Sequence, residues 1–391
     1  MINKESYNLI IVGTGSYVCG KGANEFGTIL PAILTYSKRF AEKINIIFLC
    51  HSENGKKNAK RKSEILSNLI QVSDLITYDF YLSGDNPERF FKKFNIDHTN
   101  SASIISIPDN FHYEWIKIML KQKIQTLTVK PLTLKLSDGI ELYKLSKIKK
   151  TSLFVEFHKR YDRQLKYARD LFNQNIIGIP LYSFTEYTQR KNIPLKSFRN
   201  WCEDTNIFSY LGVHYVDAMH YITNATPLKV SATGQKNFLI KEDIDTFDSI
   251  QASIIWQDGN NNLFNQTILC SWVESNLSSA MSKQNFNLIG TKGRIDCEQK
   301  ERGLKLLTDD SYTEDINPDF TKIYSRGNYY EFEGYGIDSI INFIHLVKKS
   351  YLCVNDRKLC SVKEALISTS VIDAVSESLE KSSSWQDIKL S

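Results

Sequence analysis

The chain has 391 residues, 42% of them apolar and 24% charged, and carries a formal net charge of +5. That length suits two domains that each bury a core, and the composition is that of a folded chain rather than a disordered or fibrous one. No apolar run approaches the roughly 18–20 residues of a membrane span, and lysines scattered on so small a net charge give no case for nucleic acid.

Strand and helix alternate through the first third of the chain. Leu9–Val12 is a short apolar strand entering the glycine-rich stretch Val12–Thr28. Ile29–Phe40 has helical spacing, with Pro31 in the first turn where a missing N–H does no harm. Ile44–Cys50 reads as a second buried strand, Lys57–Leu69 as a helix with one polar face, Leu75–Phe80 as a third strand and Pro87–Phe94 as a helix. Ala102–Ile107 is a further strand, then come a helix over Tyr113–Lys121 and a strand over Ile124–Val129 stopped by Lys130-Pro131. Short apolar strands separated by helices predict right-handed βαβ units and a parallel sheet covered on both faces.

The rhythm then changes. After a strand at Ser152–Phe157 and a helix at Tyr161–Phe172, alternating strands are predicted at Lys229–Thr233, Ile250–Trp256, Thr267–Trp272 and Phe286–Ile289. Asp258-Gly259 and Gly290-Thr-Lys-Gly293 mark tight turns, which imply antiparallel neighbours. Helices over Ile337–Lys349 and Lys363–Leu379 close the chain. The expected architecture is α/β: an N-terminal Rossmann dinucleotide-binding domain over 1–153, then an α+β domain with a mainly antiparallel open sheet over 154–391.

In that setting the glycines acquire meaning. Gly13-Thr14-Gly15-Ser16 follows the first strand as a phosphate-binding turn would, because glycine permits positive φ and close approach of the backbone to a pyrophosphate. The third glycine of the fingerprint is absent, since Val18 stands there. Taking Phe26-Gly27 as its close makes Gly27 open the helix and leaves Val18–Glu25 as an insertion, expected to fold over the phosphates or the cleft mouth. Seven cysteines without a CxxC pair predict reduced thiols and no metal site, and Cys19 and Cys50 read as packing residues. With the first strand seven residues from Met1, no secretory leader is expected, so a cytoplasmic location follows.

Three further stretches bear on function. They are Ala102-Ser-Ile-Ile-Ser-Ile107-Pro108-Asp-Asn-Phe-His112, Thr128-Val-Lys130-Pro-Leu132 and Tyr210-Leu-Gly-Val-His214-Tyr-Val-Asp217. Together they resemble the Gfo/Idh/MocA family of glucose–fructose oxidoreductases and inositol dehydrogenases. The first is similar to its strand ending in a proline with a histidine four residues on. The second is similar to its Glu-Lys-Pro, with Val129 replacing the glutamate. The third is similar to Asp-x-Gly-x-His-x-x-Asp, with Tyr210 replacing the aspartate.

The resemblance implies an oxidoreductase using NADP or NAD, acting between the domains on a sugar, nucleotide-sugar or polyol as its small-molecule substrate. Homodimers or homotetramers paired through the open sheet are implied as well. Hydride transfer at a hydroxyl carbon also requires moving the oxygen's proton. Lys130, with its ordinary pKa of about 10.4 lowered by like charge and burial, or His214, is expected to move it, with Tyr210 supplementing them. Asp217, Arg160 and Trp201 are the expected substrate contacts. The expected cofactor contacts are Gly13, Thr14, Gly15, Ser16, Gly27, His51, Ser52, Ile107, Pro108, His112 and Lys130. No acid ends the second strand, and Lys56, Lys57, Lys60 and Arg61 follow it, so NADP is expected to bind at least as well as NAD. His220 is expected to be structural. Two other readings stand beside this one: from another class, a non-catalytic nucleotide-binding sensor or assembly protein, and within the enzyme class, a lyase or glycosidase using tightly bound NAD.

Overall fold

The computed structural model describes residues 6–22, 25–82, 90–91, 98–300, 302–309, 311–348 and 359–389. Apart from residues 90 and 91, the helix expected over 87–94 lies outside them. The chain forms two compact units, and they are not a simple cut along the sequence. The first comprises Met1–Leu132, Asp138–Tyr161 and Asp319–Val362, the second Thr133–Ser137, Asp162–Pro318 and Lys363–Ser391.

The first unit is built on strands β1 (Tyr7–Val12), β2 (Ile44–Cys50), β3 (Ile76–Leu82), β4 (Ser101–Ile105), β5 (Gln125–Val129) and β6 (Leu153–Glu156). All six are parallel, and the two-residue β17 (Cys360–Ser361) adds antiparallel to β6, giving the order β17-β6-β5-β4-β1-β2-β3. Every residue of β1, β2 and β4 is buried. That fits their largely apolar sequences, broken only by the buried Asn8, Asn45, Ser101 and Ser103, since helices cover both faces of a parallel sheet. The helices are α1 (Ser16–Cys19), α2 (Ile29–Phe40), α3 (Glu53–Ile70), α4 (His112–Lys121), α5 (Leu136–Lys149, begun in the second unit) and α8 (Tyr335–Lys348). Helix α3 starts four residues earlier than expected because Ser52 caps it, its side chain accepting the Gly55 N–H at 3.1 Å. Helix α8 joins α2 in one apolar core through Ile337, Ile340, Phe343 and Ile344. Residues far along the sequence therefore return to complete the first unit.

The second unit holds α6 (Arg163–Asn173), α7 (Val213–Thr223) and α9 (Val362–Glu380) with strands β7 (Pro180–Arg190), β8 (Thr226–Gln235), β9 (Ser249–Gln257), β10 (Leu263–Glu274), β11 (Ser282–Gly290) and β12 (Arg294–Glu298). With β18 (Gln386–Asp387) the sheet order is β12-β11-β7-β10-β9-β8-β18, antiparallel except for β7 beside β10. The long inner strand β7 is absent from the expected strands, as are the short β12 and β18 of this sheet. The buried positions of β7 include Ser183, Thr185 and Gln189, so apolar alternation gives no signal there. Two small antiparallel pairs complete the description, β13 (Lys305–Thr308) with β14 (Ser311–Asp315) and β15 (Lys322–Ser325) with β16 (Tyr330–Glu333). No helix among the described residues is long and apolar enough to cross a membrane.

Candidate functional site

The carboxyl ends of β1, β2, β4 and β5 carry most of the residues singled out in the first unit. Gly13 leaves β1 at φ +103°, and a β-carbon there would stand 2.2 Å from the carbonyl oxygen of Ser106. Only glycine fits. The Gly13 N–H bonds to the Leu49 carbonyl (3.1 Å) and the Ser106 N–H to the Val12 carbonyl (2.9 Å), so the turn is tied to the ends of both β2 and β4. Thr14 lies against the start of α3, where a β-carbon on Gly55 would meet its Oγ1 at 2.5 Å. Gly15 is exposed with open space on its β-carbon side, and Ser16 is exposed beside it. A backbone cradle with tight glycines at its base and an open rim suits a dinucleotide pyrophosphate. His51 and Ser52 are exposed at the end of β2.

The stretch after Ser16 differs from a plain insertion. Ser16–Cys19 form the short α1, and α2 begins after Thr28, whose side chain bonds to Thr321 rather than capping the helix, so the first helix of the unit is split in two. Gly27, at φ +71°, lies so close to the backbone of Val18 that a β-carbon would stand 2.7 Å from its carbonyl. That packing explains the glycine without any ligand. The intervening segment is fastened to α3. Asn58 Nδ2 donates to the Gly20 carbonyl at 2.8 Å, and the buried Lys62 donates to the carbonyls of Gly22 (2.7 Å) and Glu25. The Lys62 ammonium also stands 4.8 Å from the centre of the Phe26 ring. Burial pushes the Lys62 pKa down, while the backbone N–H groups of Gly22 and Lys21 hold the Glu25 carboxylate below its usual range. Nothing in the helical spacing of α3 marked Lys62 or Asn58 for this role. Cys19 and Cys50 are buried, and that burial raises their thiols to about 12 and about 11.

At the ends of β4 and β5 the link is His112, the first residue of α4 and fully buried. Its Nδ1 lies 2.7 Å from the Pro131 carbonyl and its Nε2 3.1 Å from that of Ile107. One ring thereby joins the Ile107-Pro108 turn to the Lys130-Pro131 turn, whose peptide bond is cis. Burial lowers the His112 pKa, and the neighbouring Lys130 adds to that, against Asp109 and the two carbonyls. Lys130 and Pro108 are half-buried at these strand ends. Arg160 is different: it is 1% exposed within the short helix His158–Tyr161.

In the second unit α7 carries His214 and Asp217, both buried and one turn apart. The His214 ring lies 6.2 Å from that of Tyr187 on β7. Tyr210 precedes α7 in a π-helical turn, Phe208–Gly212, and its ring packs among Phe198 (5.1 Å), Trp201 (5.6 Å) and Trp272 (6.1 Å). Tyr210 and Trp201 thus belong to one aromatic cluster. Gly212 has a packing reason, since a β-carbon would strike the Phe208 ring at 2.7 Å. The Nδ1 of His220 lies 2.9 Å from the Ala225 carbonyl.

A polar network behind α7 escaped the sequence reading. The buried Asp162 carboxylate accepts from both terminal nitrogens of Arg302 and from Gln299 Nε2 (2.9 Å), while Tyr215 donates to Gln299 Oε1. Gln266 Nε2 donates to the Tyr215 carbonyl at 3.2 Å, and Gln266 Oε1 accepts from Trp256 Nε1 at 3.1 Å. Buried groups so satisfied make a rigid seat for the helix that presents His214 and Asp217. Its members lie up to 140 residues apart in sequence, which no motif connects.

A two-unit chain of this kind, with a parallel sheet carrying a glycine turn and an antiparallel sheet behind a His/Asp helix, has the fold of the inositol dehydrogenases. The solved structures that share it are of the Gfo/Idh/MocA type. The myo-inositol 2-dehydrogenase from Lactobacillus plantarum superposes with a TM-score of 0.68 at 16% identity, covering 98% of this chain and 100% of that one. The scyllo-inositol dehydrogenase from Lactobacillus casei, solved with NAD(H) and scyllo-inositol, gives 0.67 at 15% identity, covering 98% and 99%. By sequence, the chain is 24% identical over 225 residues to the myo-inositol 2-dehydrogenase of Thermotoga maritima, 58% of this chain and 63% of that relative. The aligned region is thus less than two thirds of that relative's length. No family model matches the chain.

Proposed function

We propose that the protein is an NAD(P)-dependent oxidoreductase that interconverts a hydroxyl and a carbonyl on a polyol or sugar. The observation that carries this reading is the glycine cradle at the end of β1, lying in one sheet with the His112-braced Lys130-Pro131 turn at the end of β5. Ligands of open α/β sheets bind beyond the carboxyl ends of the strands, and inositol dehydrogenases of the same fold support the choice of chemistry.

NAD(P) supplies the acceptor for the hydride that leaves the hydroxyl carbon. Gly13, Thr14, Gly15 and Ser16 are assigned to the pyrophosphate, His51 and Ser52 to the adenosine ribose, and Ile107, Pro108 and His112 to shaping the pocket at the β4 end. Lys130 takes the hydroxyl proton in oxidation and returns it in reduction. His214 is the second acid–base group, with Asp217 as a hydroxyl ligand. Tyr210 can donate a hydrogen bond where the family has an aspartate. Arg160, in the short helix His158–Tyr161, and Trp201, packed on Tyr210, are assigned to the substrate as further contacts.

The test is a cofactor-reduction assay with NAD and NADP against inositol isomers, other polyols, free sugars and nucleotide sugars. Substrate-dependent reduction is expected. Tight dinucleotide binding with no turnover on any of these classes would favour the sensor reading instead.

A further inference from the structure

A buried carboxylate at the end of β6 lies outside every role assigned so far. In the parallel register of β5 and β6, Glu156 is the partner of Val129. Paired residues on neighbouring parallel strands project from the same face, so the two stand side by side. Val129 occupies the place of the glutamate in the family's Glu-Lys-Pro segment. This chain carries a carboxylate at the matching position one strand over.

Glu156 is 2% exposed. Its Oε1 accepts from the Tyr17 hydroxyl at 2.9 Å and from Ser339 Oγ at 2.6 Å, and His158 Nδ1 lies 3.5 Å away. A carboxylate so buried requires partners of this kind. They are themselves held: the His158 ring stacks on Tyr335 at 5.7 Å and touches Phe320 at 5.1 Å. Tyr17 comes directly after the Gly13–Ser16 turn. Gly13 is fastened toward β2 and Ser106 toward β1, and the segment after Cys19 is fastened toward α3. The Tyr17–Glu156 bond adds a tie toward β6, on the opposite side of the sheet.

We propose that Glu156 is a positioning residue for the dinucleotide: through Tyr17 it sets the orientation of the Gly13–Ser16 turn. It supplies from β6 the carboxylate that position 129 lacks. The role rests on the proposed function, in which that turn holds the pyrophosphate.

The test measures Kd for NAD(H) and NADP(H) by titration calorimetry, kcat on any active substrate, and amide exchange of residues 16–20 in the ligand-free chain. Tyr17→Phe deletes one hydroxyl and is the variant expected to fold without difficulty; Glu156→Gln removes the charge. Each is expected to raise Kd about tenfold, the order of one charge-assisted hydrogen bond, with a smaller effect on kcat and faster exchange over residues 16–20. Adding Val129→Glu to Glu156→Gln is expected to recover affinity. Unchanged Kd and exchange in both single variants would overturn the role, and no recovery in the double variant would overturn the equivalence of positions 129 and 156. If the wild-type chain bound neither dinucleotide, the proposed function would fall and the positioning role with it. Wild-type binding that the variants leave unchanged removes the positioning role alone.

Discussion

His112 and Pro131 are joined by a 2.7 Å contact between the Nδ1 of one and the carbonyl oxygen of the other, across 19 residues of sequence. The other ring nitrogen lies 3.1 Å from the Ile107 carbonyl, so one buried side chain, with a single N–H to donate when neutral, lies between the ends of two adjacent strands. Replacing His112 with alanine removes its N–H donor and leaves a cavity. The expected cost is about 2–4 kcal/mol of stability, read from the shift in denaturant midpoint. An unchanged midpoint would show that the turns hold without it.

The same residue predicts a pH dependence. Burial lowers the folded-state pKa of His112, so the unfolded chain takes up its proton first, at about pH 6.5. The stability that comes from keeping the ring neutral is present above about pH 6.5 and is lost as pH falls through that value toward the lower folded pKa. Unfolding curves at several pH values should show the wild type losing stability in that window more steeply than His112→Gln. Parallel profiles for the two proteins would rule the linkage out.

For the chemistry, Lys130→Met is expected to reduce kcat by at least about 10²-fold, the lower range for a general acid–base group, while Kd for the cofactor changes little. His214→Ala should act likewise. Tyr210→Phe should cost less, because its ring already packs among Phe198, Trp201 and Trp272. Wild-type turnover by Lys130→Met on any active substrate removes Lys130 from the mechanism.

The segment between α1 and α2 is held by Lys62, whose ammonium serves the carbonyls of Gly22 and Glu25. Lys62→Met should destabilise the chain by about 1–3 kcal/mol, since it strips those carbonyls of a charged donor. We also expect the segment to shield the bound phosphates, so a deletion confined to residues 21–25 should weaken cofactor binding. A folded deletion variant with wild-type affinity excludes the shield.

NADP is expected to bind at least as well as NAD. Of the four cations after β2, Lys60 sits over the Phe80 ring and Arg61 bonds to Asn58. Lys56 and Lys57 are therefore the ones assigned to a 2′-phosphate. Replacing both with alanine should weaken NADP selectively in parallel titrations. Tenfold tighter binding of NAD than NADP by the wild type would refute the preference.

The sequence by itself determined the parallel sheet, because strands covered on both faces must be largely apolar, and β1, β2 and β4 carry the runs Leu9–Val12, Ile46–Cys50 and Ile104–Ile105. It also located Gly13 and the Lys130-Pro131 stop, since tight turns restrict which residues can occupy them. Tertiary structure decided what residue type and spacing leave open. Strand β7 was hidden because its inward face includes Ser183, Thr185 and Gln189, whose burial depends on partners rather than on hydropathy. The return of α8 to the first unit, the clasp of Lys62 on the Gly22 carbonyl and the pairing of Asp162 with Arg302 join residues 40 or more positions apart. Such contacts form only when the fold brings distant segments together, and no local period records them. The carboxylate of Glu156 beside Val129 is the clearest case: sequence showed a glutamate missing, and only strand register showed where another one stands.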